Sequence, residues 1–198
     1  MSVTLKKFEG CLYENSLYEE EYKVAGKTVW MRPLSLENDL DKIHRWMNEP
    51  HVEEFWNMAW PKEKIHEYLK KSEEKPGFDT YIAYMNNEAV GMIEVYDPTQ
   101  DRIKDYYEVQ SGDAGLHILI GEEKFLKRFI LRLTLFVMRF VLLLDGTKRI
   151  VGEPDDRNKA VLGLMKYVGF RFIKKIELPE KRAELLVLDK EEFAKIHG

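Results

Sequence analysis

Residues 112–121 read Gly-Asp-Ala-Gly-Leu-His-Ile-Leu-Ile-Gly, a short apolar run typical of a buried strand, and this run carries a single histidine, His117. An apolar segment at residues 129–144, FILRLTLFVMRFVLLL, follows soon after and predicts a long helix that begins near Glu122. The segment is shorter than the roughly 20 residues that a membrane-spanning helix needs, and it contains two arginines. We therefore expect a buried helix and no membrane partner.

Upstream of this stretch, the pattern changes from strand to helix and back to strand. The alternating residues 27–33 predict a strand, and Ser35 is placed to cap a helix that runs to about Trp46. Proline suits a first helical turn, so a second helix is expected after Pro61. Two apolar runs, residues 80–85 and 89–96, are separated by Asn-Asn-Glu and predict a hairpin.

Downstream, we expect a strand at residues 148–151, a helix at 158–168 and strands at 170–177 and 183–188. This order predicts an α/β fold in which a mixed, partly antiparallel central sheet is flanked by helices. One domain is expected over residues 26–198. Residues 1–25 lack a clear period and predict an irregular arm, with a short strand near residues 5–11.

Composition excludes several function classes. The 31 basic residues nearly match the 35 acidic ones, so the net charge of -4 gives no general attraction to nucleic acid. Cys11 is the only cysteine and cannot form an internal disulfide, which favours a reducing, cytoplasmic location. The N-terminus lacks the apolar run of a signal peptide. His51 and His66 lack the spacing of metal ligands, so no metal is expected.

Six clusters give the sequence a specific resemblance over residues 30–188. Besides residues 112–121, they are residues 153–158 (EPDDRN) with Asn158-x10-Gly169-Phe170, and four shorter clusters: His44-x-Trp46-Met47-Asn48, Val52-x2-Phe55-Trp56, Glu94-x-Tyr96 and Lys181-x-Ala183-x-Leu185. Together they resemble the hydroxylysine acyltransferases of aerobactin-type and mycobactin-type siderophore pathways. Those enzymes are a branch of the GNAT acyltransferases, and the aminoglycoside 6'-N-acetyltransferases are a more distant relative.

The resemblance implies an acetyl-CoA or other acyl-CoA co-substrate and a hydroxylated amine acceptor such as N6-hydroxylysine, with a siderophore synthetase as a possible partner. It implies that His117 is the base, directly or through a water, and that Asp155 orients its imidazole. Backbone N–H groups of Ile118 or Leu119 would bind the developing oxyanion, and Asn158 would lie beside the pantetheine arm. Without the resemblance, a lone histidine in an apolar run is more often a core residue.

One departure concerns the start of the long helix. The GNAT pyrophosphate turn contains small residues, whereas residues 124–129 here read KFLKRF, so side chains as large as Lys127 obstruct close approach of phosphate to the backbone. Lys124, Lys127 and Arg128 would then hold the phosphates by charge. The alternative is a descendant with weakened CoA binding that serves as a non-catalytic pathway component. Met165 stands where many GNAT enzymes place a tyrosine acid.

The acceptor pocket is expected to be lined by residues from the shorter clusters: His44, Trp46, Trp56, Glu94 and Tyr96. Aromatic residues on a helix or hairpin are also typical of core packing. For Trp46 and Trp56, the pocket and the core are equally good interpretations. An aminoglycoside acetyltransferase is a further hypothesis. It would require many carboxylates around a polycationic sugar.

Overall fold

The computed structural model describes residues 18–22 and 27–198, and one mixed sheet of eight strands runs through them in the order β1-β2-β3-β4-β5-β6-β8-β7. β5 and β6 are parallel, and every other neighbouring pair is antiparallel. The strands are β1 (Tyr18–Tyr22), β2 (Lys27–Pro33), β3 (Phe78–Met85), β4 (Glu88–Tyr96), β5 (Asp113–Ile120), β6 (Arg149–Gly152), β7 (Arg171–Glu177) and β8 (Arg182–Asp189). This is the mixed α/β fold that the sequence predicts.

Helices cover both faces of the sheet, and each face has its own apolar core. They are α1 (Leu36–Met47), α2 (Pro50–Trp56), α3 (Lys62–Glu74), α4 (Glu123–Leu126), α5 (Ile130–Leu143), α6 (Lys159–Val168) and α7 (Lys190–His197). Buried residues of α1 and α3 pack with Met92 and Leu119 on one face. Phe136 and Phe140 of α5 pack with Leu116 and Ile120 on the other face, as the alternation of side chains along β5 requires.

Four features differ from the sequence prediction. Residues 18–22, expected in an irregular arm, form β1 and pair with β2, because pairing to a neighbouring strand does not require a regular apolar period. α2 and α7 were not predicted, since each is a single short amphipathic segment. The expected continuous helix from Glu122 is wrong: α4 ends at Leu126, a turn follows, and α5 begins at Ile130.

Two other predictions are not tested by the structure. The predicted strand near residues 5–11 lies outside the described residues, and the division of the chain at residue 25 stays a prediction. In the described ranges, no helix is long and apolar enough to cross a membrane.

The parallel pair β5–β6 separates soon after it forms. Its register joins Asp113 to Arg149, Ala114 to Ile150 and Gly115 to Val151, and then ends. β5 nevertheless continues to Ile120 along β4 on its other side. The two strands therefore diverge within the sheet, and the residues that follow Gly115 face a gap rather than a hydrogen-bonded partner.

Candidate active site

A row of three charged side chains crosses the sheet where β5 and β6 diverge. Glu94 on β4 lies directly opposite His117 on β5, so the two side chains share one face of the sheet. On the other side, the β5–β6 register places Val151 beside Gly115, and two further residues along each chain bring Glu153 beside His117. His117 Nδ1 lies 3.0 Å from Glu94 Oε2, and its Nε2 lies 2.9 Å from Glu153 Oε1.

Both carboxylates in this row are buried, and each has a tyrosine partner. Glu94 is fully buried and accepts a hydrogen bond from Tyr68 Oη at 2.7 Å. Glu153 is 7% exposed and accepts from Tyr96 Oη at 3.4 Å. The ring of Tyr96 lies 4.9 Å from that of His117. It occupies the space of a side chain at Gly115, where a Cβ would come within 2.2 Å of it.

The two carboxylates determine the charge of His117. Burial by itself lowers the pKa of the imidazole, but ion pairing and hydrogen bonding with Glu153 and Glu94 outweigh this and raise the pKa to about 10. Burial likewise raises the pKa of Glu153, and His117 more than reverses the shift, to about 2. At neutral pH the ring is therefore an imidazolium that donates from both nitrogens, so it has no free lone pair with which to accept a proton.

A cavity of about 560 Å³ opens above this row. One wall is aromatic and comes from α2, the segment after it and α3, and Trp56 of this wall meets the His117 ring edge-on at 6.2 Å. The opposite wall is charged. Its lining includes Trp56, Tyr68, Glu94, His117, Glu153 and Lys181. Asp155, Asn158 and Ile118 also line the cavity.

The backbone of β5 presents one of its two predicted N–H donors to the gap. The N–H of Gly121 donates to the carbonyl of Val90, and hydrogen-bonded pairs alternate along an antiparallel ladder. The N–H of Leu119 therefore points to β4 and is used by the sheet, whereas that of Ile118 points to the diverging side. Of the two expected donors, Ile118 is placed to bind an oxyanion and Leu119 is not.

Asp155 does not contact the imidazole, so its predicted orienting role is corrected. The Asp155 carboxylate accepts hydrogen bonds from the backbone N–H of Arg157 at 2.8 Å and from its guanidinium at 2.7 Å, which lower the pKa of Asp155. The main chain of Asp155 forms a bridge with Ala183 after β6 has ended. The orienting carboxylates are Glu94 and Glu153. Asp155 remains in the cavity wall as a separate ionised group.

Three residues expected in the acceptor pocket do not line the cavity. Trp46 is fully buried in the core, where its Nε1 donates to Glu122 Oε1 at 3.0 Å and its indole fills the space of a side chain at Gly121. His44 is half-buried on α1 and is not among the lining residues. The buried face of α1 is formed by residues next to it. Tyr96 lies beneath the cavity and supports Glu153. Trp56 and Glu94 do line it.

Of the basic residues predicted to hold CoA, Lys124 lies in α4, and Lys127 and Arg128 lie in the turn between α4 and α5. Lys124, Lys127 and Arg128 are all exposed, and none lines the cavity. Lys124 forms an ion pair with Glu88, and the Arg128 guanidinium stacks on the Phe129 ring at 5.5 Å. Asn158 caps α6, its side chain accepting from the N–H of Val161 at 3.1 Å. This cap satisfies one of the unpaired donors at the helix start.

Sequence reasoning missed Glu153, Tyr68 and Lys181 as site residues. Glu153 begins the EPDDRN motif, and its place two residues after Val151 is the signal that puts it on the His117 face. Lys181 was part of a recognised cluster but received no role. The sequence around Tyr68 contains no local pattern that would identify it as a site residue. Among the described residues, no group of three or more His, Cys, Asp and Glu side chains is arranged to hold a metal ion.

Comparisons with known proteins identify the family of this chain. The family model described as an acetyltransferase (GNAT) domain matches residues 35–178. The chain is 31% identical over 158 residues to the N(6)-hydroxylysine O-acetyltransferase of Escherichia coli, covering 79% of this chain and 50% of that protein. It is 25% identical over 176 residues to the N-hydroxyputrescine acetyltransferase of Acinetobacter baumannii, covering 87% and 83%. The chain spans about a third to a half of the length of the first curated relatives it matches.

Solved structures show the same fold. An uncharacterized protein from Bacillus halodurans has a TM-score of 0.86 at 29% identity, with 90% of this chain and 93% of that chain covered. An aminoglycoside acetyltransferase AAC(6')-Ib, solved with coenzyme A, has a TM-score of 0.77 at 19% identity, with 86% and 99% covered, and this likeness concerns the fold alone. With a family model that spans most of the chain, and with strands that diverge beside a charged cavity, this protein belongs to the GNAT acetyltransferase domain family.

Proposed function

We propose that the protein is an acyl-CoA-dependent N-acyltransferase that acetylates N6-hydroxylysine or a related hydroxylated amine in siderophore biosynthesis. The observation that carries the proposal is the row Glu94–His117–Glu153, with both carboxylates buried, in a cavity at the divergence of β5 and β6. The relatives support the acceptor class, because their names specify hydroxylysine, hydroxyornithine and hydroxyputrescine. A siderophore synthetase as partner and a cytoplasmic location, where acyl-CoA is made, belong to the same proposal.

The edge of the cavity at the β5–β6 gap fits an acyl-CoA co-substrate, whereas the α4–α5 turn departs from the usual GNAT sequence. The gap between β5 and β6 leaves the Ile118 N–H unpaired at a cavity edge, with Asn158 at the start of α6 in the same wall. An extended pantetheine arm would lie along this edge, and its thioester would supply the acyl group. At the α4–α5 turn, exposed Lys127 and Arg128 would hold the phosphates through side-chain charge.

The Ile118 N–H, Asp155 and His117 each have a separate role in the proposed transfer. The acceptor nitrogen forms a bond to the thioester carbon, and the carbon–sulfur bond breaks. CoA leaves as a thiolate that takes a proton from solvent, and the nitrogen loses a proton. The Ile118 N–H stabilises the oxyanion. Asp155 accepts the proton, and although Arg157 lowers its pKa, a nitrogen that has just attacked is acidic enough for a weak base to suffice. The imidazolium of His117 fixes Glu153 and Glu94 at the acceptor.

A non-catalytic descendant is the second candidate, and the α4–α5 turn is the observation that favours it. Residues 127–129 lack the small side chains that bring phosphate close to a helix start, and Lys124 is engaged by Glu88. An aminoglycoside acceptor is disfavoured by the charges of the cavity. Its carboxylates already have cationic partners: Glu94 and Glu153 with His117, Asp155 with Arg157, and Glu180 with Arg102.

The test is release of free thiol from acetyl-CoA with N6-hydroxylysine, lysine and kanamycin as acceptors at equal concentration. We expect thiol release with N6-hydroxylysine and much less with the other two. A thermal-shift series with acetyl-CoA, succinyl-CoA and a longer acyl-CoA identifies the donor, because a ligand that binds the folded state raises the midpoint. No shift and no thiol release with any donor would favour the non-catalytic descendant, and a preference for kanamycin would favour the aminoglycoside enzyme.

A further inference from the structure

Lys181 is a half-buried cation whose ammonium has no hydrogen-bond partner among the described residues. Its side chain is 16% exposed and lines the cavity. Its closest carboxylate atom is Glu153 Oε1, 3.9 Å from Nζ, which is an ion-pair distance but too long for a hydrogen bond. An ammonium has three donors, and withdrawing them from most of the solvent without a partner is unfavourable. The side chain is thus placed to bind something in the cavity.

Glu153 offers matching acceptor capacity at the same point. Its Oε1 accepts one hydrogen bond from His117 Nε2, and a carboxylate oxygen has two lone pairs. The atoms Nζ of Lys181 and Oε1 of Glu153 are 3.9 Å apart, so one small polar atom that lies beside this pair can contact both. A hydroxyl oxygen about 2.8 Å from both would accept from the ammonium and donate to the carboxylate.

We infer that Lys181 and Glu153 together recognise the N–OH hydroxyl of the acceptor, and this rests on the proposed function. Because Nε2 of His117 and Nζ of Lys181 are both close to Oε1 of Glu153, the hydroxyl lies at the reacting end of the acceptor rather than at its far end. A plain lysine acceptor would leave the Lys181 ammonium without a hydrogen-bond partner, and its own ammonium would be repelled by Lys181. A hydroxylamine nitrogen is largely uncharged at neutral pH and escapes this repulsion.

Such a pair discriminates strongly, since sites built to bind a hydroxyl reject analogues that lack it by large factors. The measured quantity is the ratio of kcat/KM for N6-hydroxylysine to kcat/KM for lysine. We expect this ratio to be about 10² or more in the natural protein and to fall at least about tenfold in Lys181→Met. Lys181→Arg keeps a donor and is expected to retain more of the preference than Lys181→Met.

Lys174→Met is the matched control, because Lys174 is exposed on β7 and does not line the cavity. It should leave the ratio unchanged, and thermal unfolding checks that each variant is folded. A proportionate loss with both acceptors in Lys181→Met, or an unaltered ratio, would overturn the assignment while the proposed function stands. If the natural protein acylates neither amine, the proposed function fails and this inference fails with it.

Discussion

Glu94 and His117 occupy directly opposite positions on antiparallel β4 and β5, and the 3.0 Å contact between Glu94 Oε2 and His117 Nδ1 spans the two strands. Glu94 is fully buried, and its two carboxylate oxygens are hydrogen-bonded by this partner and by Tyr68. The relationship changes the expected role of the histidine. Held between two carboxylates, the ring is a fixed cation that positions its neighbours, and the proton acceptor must be a different group.

Replacing Asp155 tests that acceptor. We expect Asp155→Asn to lower kcat by about 10²-fold or more, because an amide cannot take the proton of the attacking nitrogen. Asp145→Asn is the control, since Asp145 is exposed and outside the cavity. The assay is thiol release at saturating N6-hydroxylysine. Full activity in Asp155→Asn would remove this residue from the mechanism.

Truncation of His117 should affect stability as well as activity. His117→Ala leaves Glu94 and Glu153 buried without their shared cation, and breaking a buried ion pair in this way costs about 3–5 kcal/mol. Urea unfolding at pH 7 measures the change. A loss below about 1 kcal/mol would show that the carboxylates escape to solvent or become protonated at little cost.

Stability should also depend on pH in the alkaline range. The pKa of His117 is raised from 6.5 to about 10, so the folded protein holds this proton more tightly than the unfolded chain does. The resulting stabilisation is fully present below pH 6.5 and is lost as pH rises through about 10. Urea unfolding at pH 6 and pH 10 should therefore show a larger loss in the natural protein than in His117→Gln. Equal losses would contradict a raised pKa.

The α4–α5 turn gives a prediction for donor binding. If side-chain charge holds the phosphates, removing Lys127 and Arg128 together should weaken CoA binding and reduce its salt dependence, because exposed charge contacts are screened by salt. Lys124→Ala should have a smaller effect, since Lys124 is already paired with Glu88. Calorimetry at low and high salt compares the variants. Unchanged affinity in the double variant would exclude this turn as a phosphate site.

The two tryptophans of the shorter clusters should separate into a core residue and a cavity residue. Trp46 is fully buried, and Trp46→Ala is expected to cost about 3–5 kcal/mol of unfolding free energy. Trp56 is half-buried against the cavity and edge-on to His117, so Trp56→Ala should mainly raise KM for the acceptor. Chemical unfolding and acceptor kinetics on both variants measure the two effects. The reverse assignment of effects would contradict the structure.

The sequence by itself determined the class of fold and most of its elements. Apolar alternation and turn residues are local signals, so the hairpin β3–β4, the strand that carries His117 and the helix capped by Asn158 could all be predicted from short segments. The break at residues 127–129 could not, because the apolar period continues through it. α7 was missed because one short segment gives little periodicity to detect.

Only the tertiary structure decided which carboxylates meet His117. In the sequence, Glu153 and Asp155 belong to the same motif and differ by two positions, which suggests a common face as long as the strand continues. β6 ends at Gly152, so Glu153 keeps the register that faces His117, whereas Asp155 turns to pair with Ala183 and its own neighbour Arg157. Glu94 reaches the ring through cross-strand register over 23 residues of chain. Registers between strands are set by the packing of the whole sheet, and no local pattern encodes them.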